Sequence, residues 1–177
     1  MQALNLSLGV SLLLSVLKVS VGACTGALSL LSEALHSLVD VASSVSAIWT
    51  KRSSSEHLSH RLEALILAIG ALWIFFEIAI GHFTMISPGP GILVSLLSLF
   101  LYTFTYIANA EEAFSSKAVH ANRIHILSDI VGSLLVLLGL VVSFFTGLAW
   151  IDKAIAGLIA SGLLVLSLVL ATSDGHD

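Results

Sequence analysis

The stretch Ile130-Val-Gly-Ser-Leu-Leu-Val-Leu-Leu-Gly-Leu-Val-Val-Ser-Phe-Phe145 runs for sixteen residues without an ionisable side chain. Extended back to Val119, it is long enough to cross the hydrocarbon of a bilayer, which takes about 20 mainly apolar residues. Backbone amides in hydrocarbon must find partners within their own segment, so the stretch reads as a helix. Working outward, five more stretches of the same kind appear: Leu4–Leu28, Leu30–Trp49, Leu62–Ile80, Ile92–Ala108 and Leu148–Ala171. Turn signals separate them. Ser87-Pro-Gly-Pro-Gly91 breaks the chain between the third and fourth, Lys51-Arg-Ser-Ser-Ser55 closes the second, and Asn109-Ala-Glu-Glu112 closes the fourth. The expected fold is an all-α membrane protein, a six-transmembrane-helix bundle over residues 1–172 with a short polar tail at 173–177.

Composition agrees. Of 177 residues, 57% are hydrophobic and 10% are charged, and the mean hydropathy is +1.05. A soluble domain carries roughly 25% charged residues, so this chain cannot cover a globular surface with charge. Seven Lys plus Arg against eleven Asp plus Glu give a net charge of −4, a poor footprint for nucleic acid. One cysteine excludes a disulfide framework and a thiolate zinc cluster. The first stretch does not read as a cleavable signal, because Lys18, its first basic residue, lies inside the apolar run.

Positive charge sets the expected orientation. Lys51, Arg52 and Arg61 lie between spans two and three, and Lys117 and Arg123 between spans four and five. Both connections fall on one side, whereas the other side has only Lys153. Those loops and both termini are placed in the cytoplasm, in a multi-pass cell membrane protein of the prokaryotic inner-membrane type. Spans two and five then run antiparallel.

An ionisable group inside a span costs several kcal/mol, so each is a functional candidate by default. Span two carries His36-Ser-Leu-Val-Asp40 and span five carries His125-Ile-Leu-Ser-Asp129, one imidazole and one carboxylate four residues apart in each. Residues i and i+4 share a helix face, about 6 Å apart along the axis. If the two stripes face each other, His36, Asp40, His125 and Asp129 offer two nitrogens and two oxygens to one ion. That set suits tetrahedral zinc. Two imidazoles argue against calcium or magnesium, and cobalt, cadmium, nickel or iron(II) fit less decisively. The plainer alternative is that each pair satisfies itself by hydrogen bonding within a helix interface. Metal binding needs neutral imidazole and ionised carboxylate, so metal and protons compete for such a site.

These residues resemble a known family. Lys18-Val-Ser-Val-Gly22 and Thr25-Gly-Ala-Leu-Ser-Leu-Leu-Ser-Glu-Ala-Leu-His-Ser-Leu-Val-Asp40 resemble the first two spans of the cation diffusion facilitators. Ser116-Lys-Ala118 through His125-Ile-Leu-Ser-Asp129 is similar to their fifth span, and Trp150-Ile-Asp152 to the start of their sixth. The resemblance implies proton-coupled export of divalent metal from the cytoplasm by a homodimer, a secondary transporter with no catalytic residues. Two His plus two Asp resemble the zinc-selective members. The family's usual cytoplasmic domain after span six has no counterpart before Asp177, so the chain resembles either the short members or a truncated member, two alternatives that the sequence leaves open. The family can carry a second, weaker metal site in the loop after span two, where Glu56, His57 and His60 are the residues to supply it; a solvated polar loop is the alternative.

Other polar residues have plainer readings. Glu33 either attracts an ion or proton at the outer mouth or pairs with Lys18 or Lys153, and Lys18 either snorkels or neutralises a carboxylate. Glu77 and His82 belong to the headgroup region, and Asp152 reads as an acid favouring the N-terminal dipole of its own helix. His120 faces away from His125 on an ideal helix. Asp174, His176 and Asp177 read as a frayed end. Cys24 reads as a small core residue, and Gly22 with Gly26 as a Gly-xxx-Gly packing pair. The Ser residues of spans one, four and six read as interhelical contacts. Two competing functions remain: a non-transporting subunit that needs a longer partner, and an intramembrane metallohydrolase, disfavoured because four ligands close the tetrahedron and no His-Glu-xx-His motif is present.

Overall fold

The computed structural model describes residues 2–50, 56–81, 87–110 and 117–173, with side chains over 6–39, 41, 61–81, 87–110 and 123–172. Those residues form six helices: α1 Gln2–Thr25, α2 Leu28–Thr50, α3 Glu56–Ile80, α4 Gly89–Ala108, α5 Lys117–Thr146 and α6 Trp150–Ser173. Five contain segments long and apolar enough to cross a membrane: Leu6–Thr25, Arg61–Ile80, Gly89–Ala108, Arg123–Thr146 and Trp150–Thr172. In α2 the described apolar segment is Leu28–Val39. Helix α3 begins six residues before the expected Leu62, so the stretch read as a loop at Glu56 to His60 is its first turn.

Each peripheral helix buries one stripe at three- and four-residue spacing, as helical periodicity requires. Helix α5 buries Ile126, Asp129, Ser133, Val136, Leu140 and Ser143, and α6 buries Asp152, Ala156, Ala160, Leu163 and Ser167. The outward faces stay apolar, with Phe100 68% and Phe145 80% exposed. In lipid those side chains gain nothing by turning inward, so helix association rests on close packing and polar contacts.

Helix α2 is the centre. One apolar cluster joins it to α3 and α6 through Leu28, Leu31, Leu67, Ile74, Ala156 and Ala160. Another joins it to α4 and α5 through Ala27, Leu30, Val94, Val136 and Leu140. A third, Leu14, Tyr102 and Ile126, ties α1 to α4 and α5. Gly22 of α1 lets α2 approach, since a Cβ there would lie 2.9 Å from Leu31 Cγ. The Gly-xxx-Gly expectation therefore holds for one glycine only, because Gly26 (φ 72°) turns the chain into α2.

Gly81 (φ 75°) and Gly147 (φ 71°) end α3 and α5 in the same left-handed conformation. Their amides donate to the carbonyls of Glu77 at 2.8 Å and Ser143 at 2.9 Å. Contacts between Leu28 and Asp152, and between the Gly81 position and Lys153, place these reversals at one end of the bundle, the Gly26 end. At the opposite end Asn109 Nδ2 donates to Ser7 Oγ at 2.9 Å.

Cys24 departs from expectation. It is exposed, because it falls on the face of α1 that carries Leu13, Val16 and Ser20, away from the Lys18–Gly22–Thr25 stripe. Glu77 departs too: it is 7% exposed and faces protein rather than headgroups, continuing the buried Leu67–Ile74 stripe of α3. The serines divide. Ser7 bridges helices, whereas Ser15 and Ser98 donate to carbonyls of their own helices. His82, His120, Asp174, His176 and Asp177 lie outside the described side chains.

Candidate functional site

Helices α2 and α5 meet at the paired motifs. Ser37, next to His36, is fully buried, and its hydroxyl lies 3.3 Å from Asp129 Oδ1 on α5. The same hydroxyl lies 3.3 Å from the Glu33 carbonyl and 3.5 Å from the Tyr102 hydroxyl of α4. Asp129 is 3% exposed and His36 is half-buried, so one carboxylate and one imidazole occupy the same protein-lined level. The antiparallel course of the helices puts the backbone of Asp40 and of His125 one turn nearer the Asn109 end.

His125 is exposed, while its neighbour Ile126 is buried on the α5 stripe. The side chain of Asp40 lies outside the described residues. Among the described residues no three or more His, Cys, Asp or Glu side chains gather in a group fit for a metal ion. Of the four expected ligands, then, His36 and Asp129 share a level, His125 opens away from the packed interface, and the fourth is undescribed. The side chains of Glu56, His57 and His60 are also outside the described set, although helical backbone puts His57 and His60 on neighbouring positions of one face.

A buried ion pair lies one turn from His36 toward the Gly26 end. Lys18 Nζ of α1 is 2.7 Å from Glu33 Oε1, and both side chains are almost wholly removed from solvent. Lys18 also donates to Ser133 Oγ on α5 at 3.2 Å and lies 5.0 Å from the ring centre of Tyr102. Ser133 in turn donates to Glu33 Oε1. Lys18 therefore neutralises Glu33 instead of snorkelling, because its position on the buried α1 stripe points inward. The i, i+4 relation of Asp129 and Ser133 hints at this link, but Lys18 comes from a distant part of the sequence.

Asp152 departs from its expected role. Its carboxylate accepts the backbone amides of Leu28 at 2.7 Å and Ser29 at 3.2 Å, together with the Ser29 hydroxyl. It caps α2, not its own helix. The free amides at a buried helix start need acceptors, and Ala27, the residue before α2, has no side-chain oxygen to supply one.

Nearer the Asn109 end, the Arg123 guanidinium stacks 4.0 Å from the Tyr106 ring centre. This contact was not apparent in the sequence, where Tyr106 reads as one more apolar-span residue.

The structure thus shows a bundle of helices long and apolar enough to cross a membrane, with the imidazole and carboxylate motifs on two touching helices. The comparison with known proteins is specific: the cation efflux transmembrane domain profile matches residues 4–62 and 52–175. The chain belongs to this family, the cation diffusion facilitators, and is a multi-pass membrane protein. It is 28% identical to the metal cation efflux system protein CzcD of Cupriavidus metallidurans, over 98% of this chain and 60% of that protein. It is 28% identical to the cation-efflux pump FieF of Serratia proteamaculans, over 86% of this chain and 56% of that protein. An uncharacterized transporter of Synechocystis sp. is 30% identical over 85% of this chain and 55% of that protein. The chain thus spans between 55% and 60% of the length of these relatives.

Proposed function

We propose that this protein exports a divalent cation, zinc in first place, from the cytoplasm in exchange for protons. The ion is held by His36, Asp40, His125 and Asp129 and released by alternating access in a homodimer with both termini cytoplasmic. One observation carries the reading: the motif-bearing helices touch at the motifs, with Ser37 of α2 in hydrogen-bonding range of Asp129 of α5. The relatives CzcD and FieF, a metal cation efflux system protein and a cation-efflux pump, support the same direction of transport.

The unequal burial of the ligands supports a path. Asp129 is enclosed while His125, one turn closer to the Asn109 end, is exposed. With the positive loops in the cytoplasm, the Asn109 end is the cytoplasmic end, so an arriving ion meets the His125 level first and the His36–Asp129 level second. Protons then compete for the same imidazoles and carboxylates.

The test is zinc-driven proton flux in liposomes. His36→Ala and Asp129→Ala abolish it while helical content stays that of the wild type. Unchanged flux in both Asp40→Ala and Asp129→Ala overturns the assignment. The assay also separates the subunit reading, since a chain that needs a longer partner is silent alone and restored by that partner.

A further inference from the structure

The unequal treatment of the two Glu33 oxygens carries an inference about the coupling proton. Oε1 receives both the Lys18 ammonium and the Ser133 hydroxyl. Oε2 is buried and has no hydrogen-bond partner among the described residues. A structural ion pair removed from water is stable only when its remaining lone pairs are satisfied. Here one whole carboxylate oxygen is left over in a residue 1% exposed.

The surroundings of Glu33 are few and definite. From α1 comes Lys18; from α5 comes Ser133, with Gly132 close enough that a Cβ would lie 3.6 Å from Glu33 Oε1. From α4, Tyr102 lies over the ammonium. From α6, the Asp152 carboxylate is engaged with Leu28 and Ser29, about one turn away on α2. Helix α3 contributes the buried Glu63 and Glu77 to the bundle. On the other side, Ser37 connects the Glu33 carbonyl with Asp129 Oδ1.

We propose that Glu33 Oε2 binds a coupling proton, separate from the protons that compete directly at the metal ligands. The inference rests on the proton-exchange reading above. In the paired state Lys18 and Glu33 sum to zero charge. A movement of α1 against α2 and α5 that lengthens the 2.7 Å contact takes the ammonium away from the buried carboxylate, and a proton arriving at Oε2 replaces that charge. The proton then sits on Oε2, Lys18 keeps its own, and the pair becomes net positive about 4.5 Å along the helix axis from His36. That charge opposes a divalent cation at His36 and Asp129, so taking the proton expels the metal. Rebinding metal drives the proton off and restores the pair.

Two measurements on the full chain in micelles test this. The first is calorimetry of zinc binding in two buffers of different ionisation enthalpy, which counts protons released per zinc. Glu33→Gln is expected to release about one proton fewer per zinc than the wild type. The second is infrared difference spectroscopy, in which a carboxylic-acid carbonyl band present without zinc disappears on adding zinc and is missing from Glu33→Gln. Because Glu33→Gln leaves Lys18 unpaired, Lys18→Met/Glu33→Gln serves as the variant that removes both charges, and it is expected to lack the same proton and band.

A purely structural pair would alter stability and leave the proton count unchanged. Full proton release in both variants, with wild-type zinc binding intact, overturns the role of Glu33 alone. A wild type that binds no zinc, or His36→Ala that binds it equally well, overturns the transport site itself and the coupling built on it.

Discussion

Replacing Asp152 tests the link between α6 and the start of α2. In Asp152→Ala, the Leu28 and Ser29 amides lose their acceptor, and both residues are fully buried. An unsatisfied buried donor costs about 1–3 kcal/mol. Removing an N-cap costs about 0.5–2 kcal/mol in ordinary helices. Against this stands relief from desolvating a carboxylate, which reduces the sum. The expected net loss is about 3 kcal/mol. Asp152→Asn keeps an acceptor oxygen for one amide and loses mainly the charge facing the helix dipole, so about 1.5 kcal/mol is expected. Ser29→Ala removes only the hydroxyl contact, about 1 kcal/mol, and the double variant should show coupling of about 1 kcal/mol because the groups share one carboxylate. Reversible unfolding by sodium dodecyl sulfate in mixed micelles, followed by far-ultraviolet circular dichroism, measures all four. A loss below about 1 kcal/mol in Asp152→Ala, or equal losses for Ala and Asn, would refute the interhelical cap.

Two further outcomes follow from packing and orientation. Gly139→Ala places a Cβ 2.8 Å from Ile155 Cγ1 and should cost about 1–3 kcal/mol in the same assay; Ile155→Ala should recover part of it, and Gly9→Ala, with nothing within 4 Å, should be near neutral. Cys24, exposed two residues before the Gly26 turn, should react in intact cells with a membrane-impermeant thiol reagent added outside, whereas labelling only after lysis would reverse the proposed orientation.

The helices were legible because lipid-spanning sequence is long, apolar and sharply punctuated. The stripes were legible in part. Glu77 lies at helical spacing from Leu67 and Ile74, so its burial follows from a register visible in the sequence, though proximity to the span end had pointed to headgroups. The repeated His-xxx-Asp spacing raised a shared interface of α2 and α5 only as a condition, and the contact of Ser37 with Asp129 is what the structure shows of it. Other features depend on tertiary placement. Asp152 is 124 residues from the Leu28 amide it accepts, and Ser133 is 115 residues from Lys18. No local pattern couples such pairs. Cys24 was misread because a uniformly apolar helix does not announce which face meets lipid.

The Gly26 and Gly147 reversals have a mechanical consequence. They make hairpins of α1–α2 and α5–α6, and the Asp152 carboxylate fastens one hairpin to the other at that same extremity. A pivot at this fastening would be amplified along each helix. A rod of 24 residues is about 36 Å long, so a pivot of about 10° carries its far tip through about 6 Å. A given angular change at the knot would therefore displace the Asn109 extremity most.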